Sequence, residues 1–324
     1  MKPLYLAPMN FYSNAFFRHF ALLKGADFVF SELIMVDRID DEVAKNKLKV
    51  YDGDLSKTIF QIGARNKDVI IEGVNLIKKI HPSIVEINLN AGCPQSTMQK
   101  NFVCSGLLFD EKMLFDVSKS LVEECKKISC IPSVKIRLGT SPDNIRIKNY
   151  LKLLLDAGIK KVYIHARTLK YNYSKPAIYD SLKDLKKEFS EIELIFNGDV
   201  DSYARYKRLS DCGADAIMIG RAALSNPDLF SQIKNKEKVR RDFYDPFLND
   251  PHMNIIDGLP VIDSYKKELI KEFILLAEKN SEDLSLVKKH LQLLTKGSSQ
   301  RKIIDSLLRN SLDYSSLKKL TDLF

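Results

Sequence analysis

The sequence predicts a (β/α)8 TIM barrel followed by a small C-terminal all-helical domain. Two recurring patterns and one change of pattern carry that prediction. Eight short apolar, β-rich runs recur over the first two-thirds of the chain, each followed by a stretch with helical periodicity. Polar residues gather at the C-terminal ends of those runs, where this barrel class places its active site. After about residue 231 nothing more resembles a strand, and amphipathic helices take over.

The eight runs are Leu4–Pro8, Asp27–Phe30, Thr58–Ile62, Ile84–Asn88, Ser133–Arg137, Lys161–His165, Glu193–Phe196 and Asp215–Ile219. Between them, helices are legible at Val69–Ile80, Met113–Lys127, Ile145–Ala157 and Ser202–Asp211. Two of these close with the glycine expected at a C-cap, in Asp156-Ala157-Gly158 and Asp211-Cys212-Gly213. A doubly wound open sheet is the alternative arrangement of the same runs. Residues 1–238 form the predicted barrel and 239–260 a linker, with Pro246, Pro251, Gly258 and Pro260. The helical domain spans 261–324, with helices at Ser264–Glu278, Leu284–Leu294, Gln300–Arg309 and Ser315–Leu323 and breaks at Asn280-Ser281 and Gly297-Ser298.

Composition narrows the function classes. With 45% hydrophobic and 29% charged residues the 324-residue chain has the balance of a globular protein, and no apolar stretch approaches the roughly 20 residues that span a bilayer. The N-terminus enters a strand-like pattern without signal-peptide architecture, so no membrane partner and a cytoplasmic location are expected. Five cysteines without a Cys-x-x-Cys pair, and five scattered histidines, argue against a disulfide framework and against a metal site. Cys93 and Cys104 remain a conceivable redox pair. The net charge of +9 suits a polyanionic partner, although a lysine-rich solvated surface gives the same sum.

The focal stretch is Asn88-Leu89-Asn90-Ala91-Gly92-Cys93-Pro94, read as a strand running into a tight turn. Gly92 can take backbone angles closed to other residues and Pro94 fixes its own φ, so Cys93 is expected in one orientation at the strand's end. Alone, such a cysteine reads as one more small buried residue. Around it, the other run ends supply Met9, Glu32, Gln61, His165 and Arg167, together with Lys135 and Arg137. The last two lie two apart and so share one strand face. Asn197-Gly198-Asp199 and Gly220-Arg221, after the last two runs, occupy the usual phosphate position of such a barrel. Each has a plain structural alternative: a paired lysine, a satisfied histidine, a turn with a surface arginine.

In this order and spacing, Ala7-Pro8-Met9, Phe60-Gln61, Asn88 through Pro94, Val134 through Gly139, His165-Ala166-Arg167-Thr168, Asn197-Gly198-Asp199-Val200 and Met218 through Ala223 resemble the tRNA-dihydrouridine synthases. The resemblance covers about residues 4–230 by motif, and the basic helical tail suits that family's RNA-binding domain in size and helical character. It implies an FMN-dependent enzyme that reduces uridine in tRNA to 5,6-dihydrouridine, with NADPH or NADH as reductant. It assigns Ala7, Pro8, Met9, Gln61, Lys135, His165, Asn197, Gly198, Asp199, Gly220 and Arg221 to FMN. Cys93 becomes the acid that protonates carbon 5 while carbon 6 receives hydride, and Asn88, Asn90, Arg137 and Arg167 become candidate contacts to the substrate. A monomer that binds tRNA across the barrel mouth and tail is expected, with the target base unstacked.

The chain departs from the family pattern at Cys104, where a small residue is typical, and at Tyr179, where Trp is common. Two rivals stay open at this level. One is an FMN barrel acting on a small pyrimidine, in the manner of dihydroorotate dehydrogenase. The other is a non-catalytic tRNA-binding protein.

Overall fold

The computed structural model describes residues 1–36, 42–171, 173, 175–236, 262–295, 298 and 300–323. The expected linker at 239–260, the basic residues Lys238, Arg240 and Arg241, and Lys296 with Gly297 lie outside the described residues.

Eight parallel strands close into a barrel: β1 (Leu4–Leu6), β2 (Phe28–Phe30), β3 (Thr58–Gly63), β4 (Glu86–Ala91), β5 (Ile131–Arg137), β6 (Lys161–His165), β7 (Glu193–Asn197) and β8 (Ala216–Ile219). Neighbours follow chain order from β3 to β8. Pairing of β8 with β1, β1 with β2 and β2 with β3 completes the ring, which excludes the open sheet. All eight expected runs are strands. The largest difference is in β4, which extends to Ala91 rather than ending at Asn88. Alternation explains this: Glu86, Asn88 and Asn90 share one face and find polar partners inside the barrel, while Ile87, Leu89 and Ala91 join the core beneath the helices.

The crossover helices run Lys67–Ile80, Glu111–Lys127, Ile147–Asp156 and Tyr203–Asp211, within two residues of expectation at each end. Asn66, Asp110 and Ser202 cap three of them by accepting backbone N–H groups. Gly158 and Gly213 take φ of +94° and +96°, the left-handed C-cap that favours glycine.

The closed end of the barrel is plugged by Tyr5, Phe30, Ile59, Tyr163, Ile195, Ala216 and Met218. Within this plug Lys161 Nζ lies 3.1 Å from Glu86 Oε2 and sits over the Tyr5, Phe28 and Tyr163 rings. An ion pair this enclosed holds only with its remaining valences filled. Ser133 Oγ and Tyr163 OH fill them by donating to Glu86 Oε1 at 2.6 and 2.8 Å.

The C-terminal helices run Ile262–Lys279, Leu284–Leu294, Arg301–Asn310 and Tyr314–Lys318, the last continued by a 3-10 turn at Lys319–Leu323. They pack on the first barrel helix, Ala15–Leu23. Phe273 meets Phe16 and Phe20 edge-on at 4.9 and 5.1 Å, and His290 stacks on Phe17 at 4.8 Å. The tail therefore buries its apolar face against the barrel, in one continuous hydrophobic cluster.

Candidate active site

The site is built at the C-terminal ends of the strands. Asn90, the last inward residue of β4, accepts the backbone N–H of Gly92 at 2.9 Å and of Cys93 at 3.0 Å through one oxygen, Oδ1. That bond pair fixes the turn. Gly92 was expected to supply an unusual backbone angle, but it is not in the left-handed region. A Cβ there would make only ordinary van der Waals contact with the Lys135 carbonyl and the Arg137 side chain, at 3.5 Å, so the turn is held by its hydrogen bonds and not by a need for glycine. Cys93 is half-buried, and all five cysteines are free thiols.

Behind the turn, Asn90 Nδ2 donates to Gln61 Oε1 at 2.7 Å, Gln61 Nε2 to Asn88 Oδ1 at 2.9 Å, and Asn88 Nδ2 to Ser133 Oγ at 2.8 Å. Asn88 is wholly buried one layer below the mouth, with both ends of its amide engaged. Arg137 clasps the turn from the other side: its Nε donates to the Gly92 carbonyl at 2.8 Å and its Nη1 to the Thr168 carbonyl at 2.9 Å. This buried guanidinium thereby ties the Cys93 turn to the loop after β6.

Lys135 lies two residues before Arg137 on β5, opposite Asn90 in register. Its Nζ approaches Asn197 Oδ1 at 3.5 Å, and no carboxylate among the described residues pairs with it. Burial pulls the ammonium down to about 7, Arg137 adds to the effect, and Cys93 opposes it. His165 is held well below the ordinary histidine value by burial and then by Arg137, Lys135, Arg167 and Arg221, so it is neutral at pH 7. With Arg167 Nη1 donating to its Nε2 at 3.3 Å, its proton belongs on Nδ1.

The phosphate-type end is assembled around Asp199. Arg167 Nη2 donates to both Asp199 oxygens at 2.6 and 2.7 Å, and Arg221 Nη2 to Oδ1 at 3.1 Å. The Ala177 N–H adds a third donor at 2.8 Å. Asp199 takes φ +51° directly after Gly198 at φ +140°, and in this tight turn a Cβ on Gly198 would press on Ala177 at 3.0 Å. Gly220 faces Ala7 and Met9, where a Cβ would lie 3.6 and 3.8 Å from their side chains. Pro8 stands between those two, partly buried. Thus Ala7, Met9 and Gly220 form one group, Lys135, His165 and Asn197 a second, and Arg167, Asp199 and Arg221 a third. Together they offer a cationic mouth, suited to a planar group carrying an anion.

Sequence reasoning missed several supports. Tyr179, noted only as a departure, donates its hydroxyl to the Gly198 carbonyl at 2.5 Å and so braces the phosphate-type turn. Tyr173 lies over the Arg221 guanidinium at 4.0 Å. Glu86 and Ser133 anchor the amide file from below. The polar alternation Glu86, Asn88, Asn90 within a strand was the signal that could have found Glu86. Cys104 is buried with φ +53°, and burial pushes its thiol up, so it is not poised as a second reactive sulfur.

Among the described residues no group of three or more His, Cys, Asp or Glu could hold a metal ion, and no helix is long and apolar enough to cross a membrane. A family model described as dihydrouridine synthase matches residues 5–253. A probable tRNA-dihydrouridine synthase of Aquifex aeolicus is 31% identical over 236 residues, covering 72% of this chain and 73% of the relative. A tRNA-dihydrouridine synthase B of Vibrio cholerae is 32% identical over 235 residues, covering 72% and 71%. Among solved structures, an old yellow enzyme homologue from Zymomonas mobilis aligns with a TM-score of 0.52 at 13% identity, covering 79% of this chain and 95% of that one. Ligand-free DHODH from Eimeria tenella aligns at 0.53 and 13%, covering 72% and 82%. At those identities the likeness concerns the barrel fold alone.

Proposed function

The chain belongs to the dihydrouridine synthase family, and we propose from that premise how its barrel mouth carries out the family's reaction, reduction of uridine in tRNA to 5,6-dihydrouridine. The observation that carries the proposal is the Cys93 turn, held by Asn90 below and Arg137 beside it, next to Lys135, whose ammonium has no carboxylate partner among the described residues.

The mouth fits FMN on its own chemistry. Three guanidiniums and Lys135 bear on His165, while Asp199 is a carboxylate bonded to two of the guanidiniums, so among the described residues this set has more cationic groups than carboxylates. Ala7 to Met9, Gln61, Lys135, His165 and Asn197 to Asp199 would hold the cofactor, with Gly220 and Arg221 at the phosphate end. When held there, FMN reduced by NADPH or NADH would be the source of hydride for carbon 6 of uracil. Cys93 Sγ gives its proton to carbon 5, and the thiolate then regains a proton from solvent. Neutral His165 offers its Nδ1–H as a donor without adding a fifth charge. Asn90 stands at the base of the Cys93 turn, with Arg137 and Arg167 shaping the wall that receives the base and Asn88 supporting Gln61 from below.

The unstacked uridine enters this mouth while the rest of the tRNA lies on the rim and the C-terminal helices, where Lys302, Arg309, Lys318 and Lys319 are exposed. A monomer working in the cytoplasm completes the reading.

The test is nucleoside mass spectrometry on unmodified tRNA incubated with the protein, FMN and NADPH, with Cys93→Ala alongside. The expected result is a gain of two hydrogens at uridine that falls about 100-fold or more in the variant, the scale of a lost general acid. Wild-type protein that binds flavin yet leaves every uridine unchanged would remove tRNA as substrate and turn attention to small pyrimidines.

A further inference from the structure

The geometry points to Glu86, at the closed end of the barrel, as a positioning residue: its carboxylate sets the hydrogen-bond polarity of the amide file that holds Cys93 at the open end. This inference rests on the function proposed above. It concerns a residue separated from the thiol by four side chains.

The file can be followed donor by donor. Glu86 meets three donors, Ser133 Oγ at 2.6 Å and Tyr163 OH at 2.8 Å on one oxygen and Lys161 Nζ at 3.1 Å on the other. With donors on both oxygens the group acts as an acceptor throughout. Ser133 has a single proton, committed downward to Glu86, so its oxygen can only accept from above, and Asn88 must turn Nδ2 toward it. Asn88 Oδ1 then faces up and requires Gln61 Nε2, and Gln61 Oε1 in turn requires Asn90 Nδ2. That leaves Asn90 Oδ1 for the N–H groups of Gly92 and Cys93.

Reversal has a definite consequence. If the Ser133 hydroxyl turned up to donate to Asn88, each amide above it would flip, and Asn90 would present its NH2 to two backbone N–H groups, donor against donor. The Cys93 turn would lose both bonds that hold it. All the members are buried, so water has little access to repair a mismatch. The charge at the bottom and the paired N–H groups at the top therefore demand the same polarity, and three neutral amides that could each face either way are locked in one.

Ser133→Ala cuts the file without disturbing the Lys161–Glu86 pair, and Ser133→Thr restores the hydroxyl. Glu86→Gln, made together with Lys161→Met so that no buried ammonium is left with only the longer 3.5 Å contact to Glu193, removes the charge. Ser118→Ala is the control, since Ser118 is buried and its Oγ has no hydrogen-bond partner among the described residues. Two readouts are used: the rate of Cys93 alkylation by iodoacetamide in the flavin-free protein, resolved by peptide mass spectrometry across pH 6 to 9, and single-turnover uridine reduction. For Ser133→Ala and the double variant we expect the alkylation rate to change about threefold or more and uridine reduction to fall about tenfold, as expected when a reacting group is displaced. Ser133→Thr and Ser118→Ala should stay near wild type.

Wild-type alkylation profile and turnover in Ser133→Ala, even with a lower melting temperature, would overturn the inference and leave the file a packing feature. Wild-type behaviour in the double variant alone would show that the hydroxyl, not the charge, sets the polarity, and would equally overturn the role given to Glu86. Should the wild-type protein itself leave uridine unreduced, the proposed function fails, while the alkylation readout still decides the inference.

Discussion

Asn14 Nδ2 lies 2.9 Å from His290 Nε2, joining the loop after β1 to the C-terminal helices across 276 residues of sequence. Asn14 Oδ1 is already committed to the N–H of Phe17 as the cap of the first helix, so its NH2 must be the donor and His290 Nε2 the acceptor. His290 is thus held as a neutral ring stacked on Phe17, with Nδ1 unpartnered among the described residues.

Burial, helped by the charge of Lys289, brings His290 down to about 3, below the 6.5 of an unfolded histidine. The unfolded chain therefore binds a proton that the folded chain refuses between those values, and stability is lost as pH falls through that window. Urea unfolding from pH 7 to pH 4 should show this one group removing about 3 kcal/mol by pH 4. His290→Phe should flatten the acid-side slope by that amount. An unchanged slope would mean the ring can charge in place.

Lys135 should report on anion binding. With its ammonium pulled down to about 7 in the free protein, it is charged below that pH and neutral above it. A bound anionic or electron-rich group raises it again, so flavin binding at pH 8 should take up protons and binding at pH 6 should not. Calorimetry in buffers of different ionisation enthalpy measures this directly. Lys135→Met should abolish the uptake and weaken flavin binding by about tenfold, the equivalent of one pKa unit.

Asp199 offsets two guanidiniums, and Arg167 is 1% exposed. Asp199→Asn leaves that buried cation uncompensated, for an expected loss of about 3 to 5 kcal/mol. A phosphate should restore part of the missing negative charge. Thermal unfolding with increasing inorganic phosphate should therefore raise the variant's melting temperature more than that of the wild type. Equal shifts would argue against an anion site here.

Arg137→Lys keeps the charge but not the two-carbonyl clasp on Gly92 and Thr168. Uridine reduction should fall about tenfold to 100-fold as the Cys93 turn loosens. Flavin affinity should change far less than in Lys135→Met. Parallel losses in both quantities would instead place Arg137 among the flavin contacts.

Much of this molecule was legible before any coordinates. The eight runs and the helices between them follow from periodicity, and the cap residues Asn66, Asp110 and Ser202 fit the same local rules. The motifs also pointed to the mouth. Partnership was not legible. Arg167 looked like a substrate contact and turns inward to Asp199. Asn88 looked like a mouth residue and lies a layer below. Glu86 went unremarked although the whole amide file stands on it.

The strands, their polar ends and the helical tail follow from residue order alone, because alternation and helical period are properties of neighbouring residues. Which polar group meets which is set by packing. Barrel closure sets the register of β3, β4 and β5, and with it the line from Gln61 to Asn88 and from Asn90 to Lys135. The packing of the tail sets Asn14 against His290. Such pairs depend on a few ångströms of separation between residues far apart in the chain, and no local pattern carries that distance.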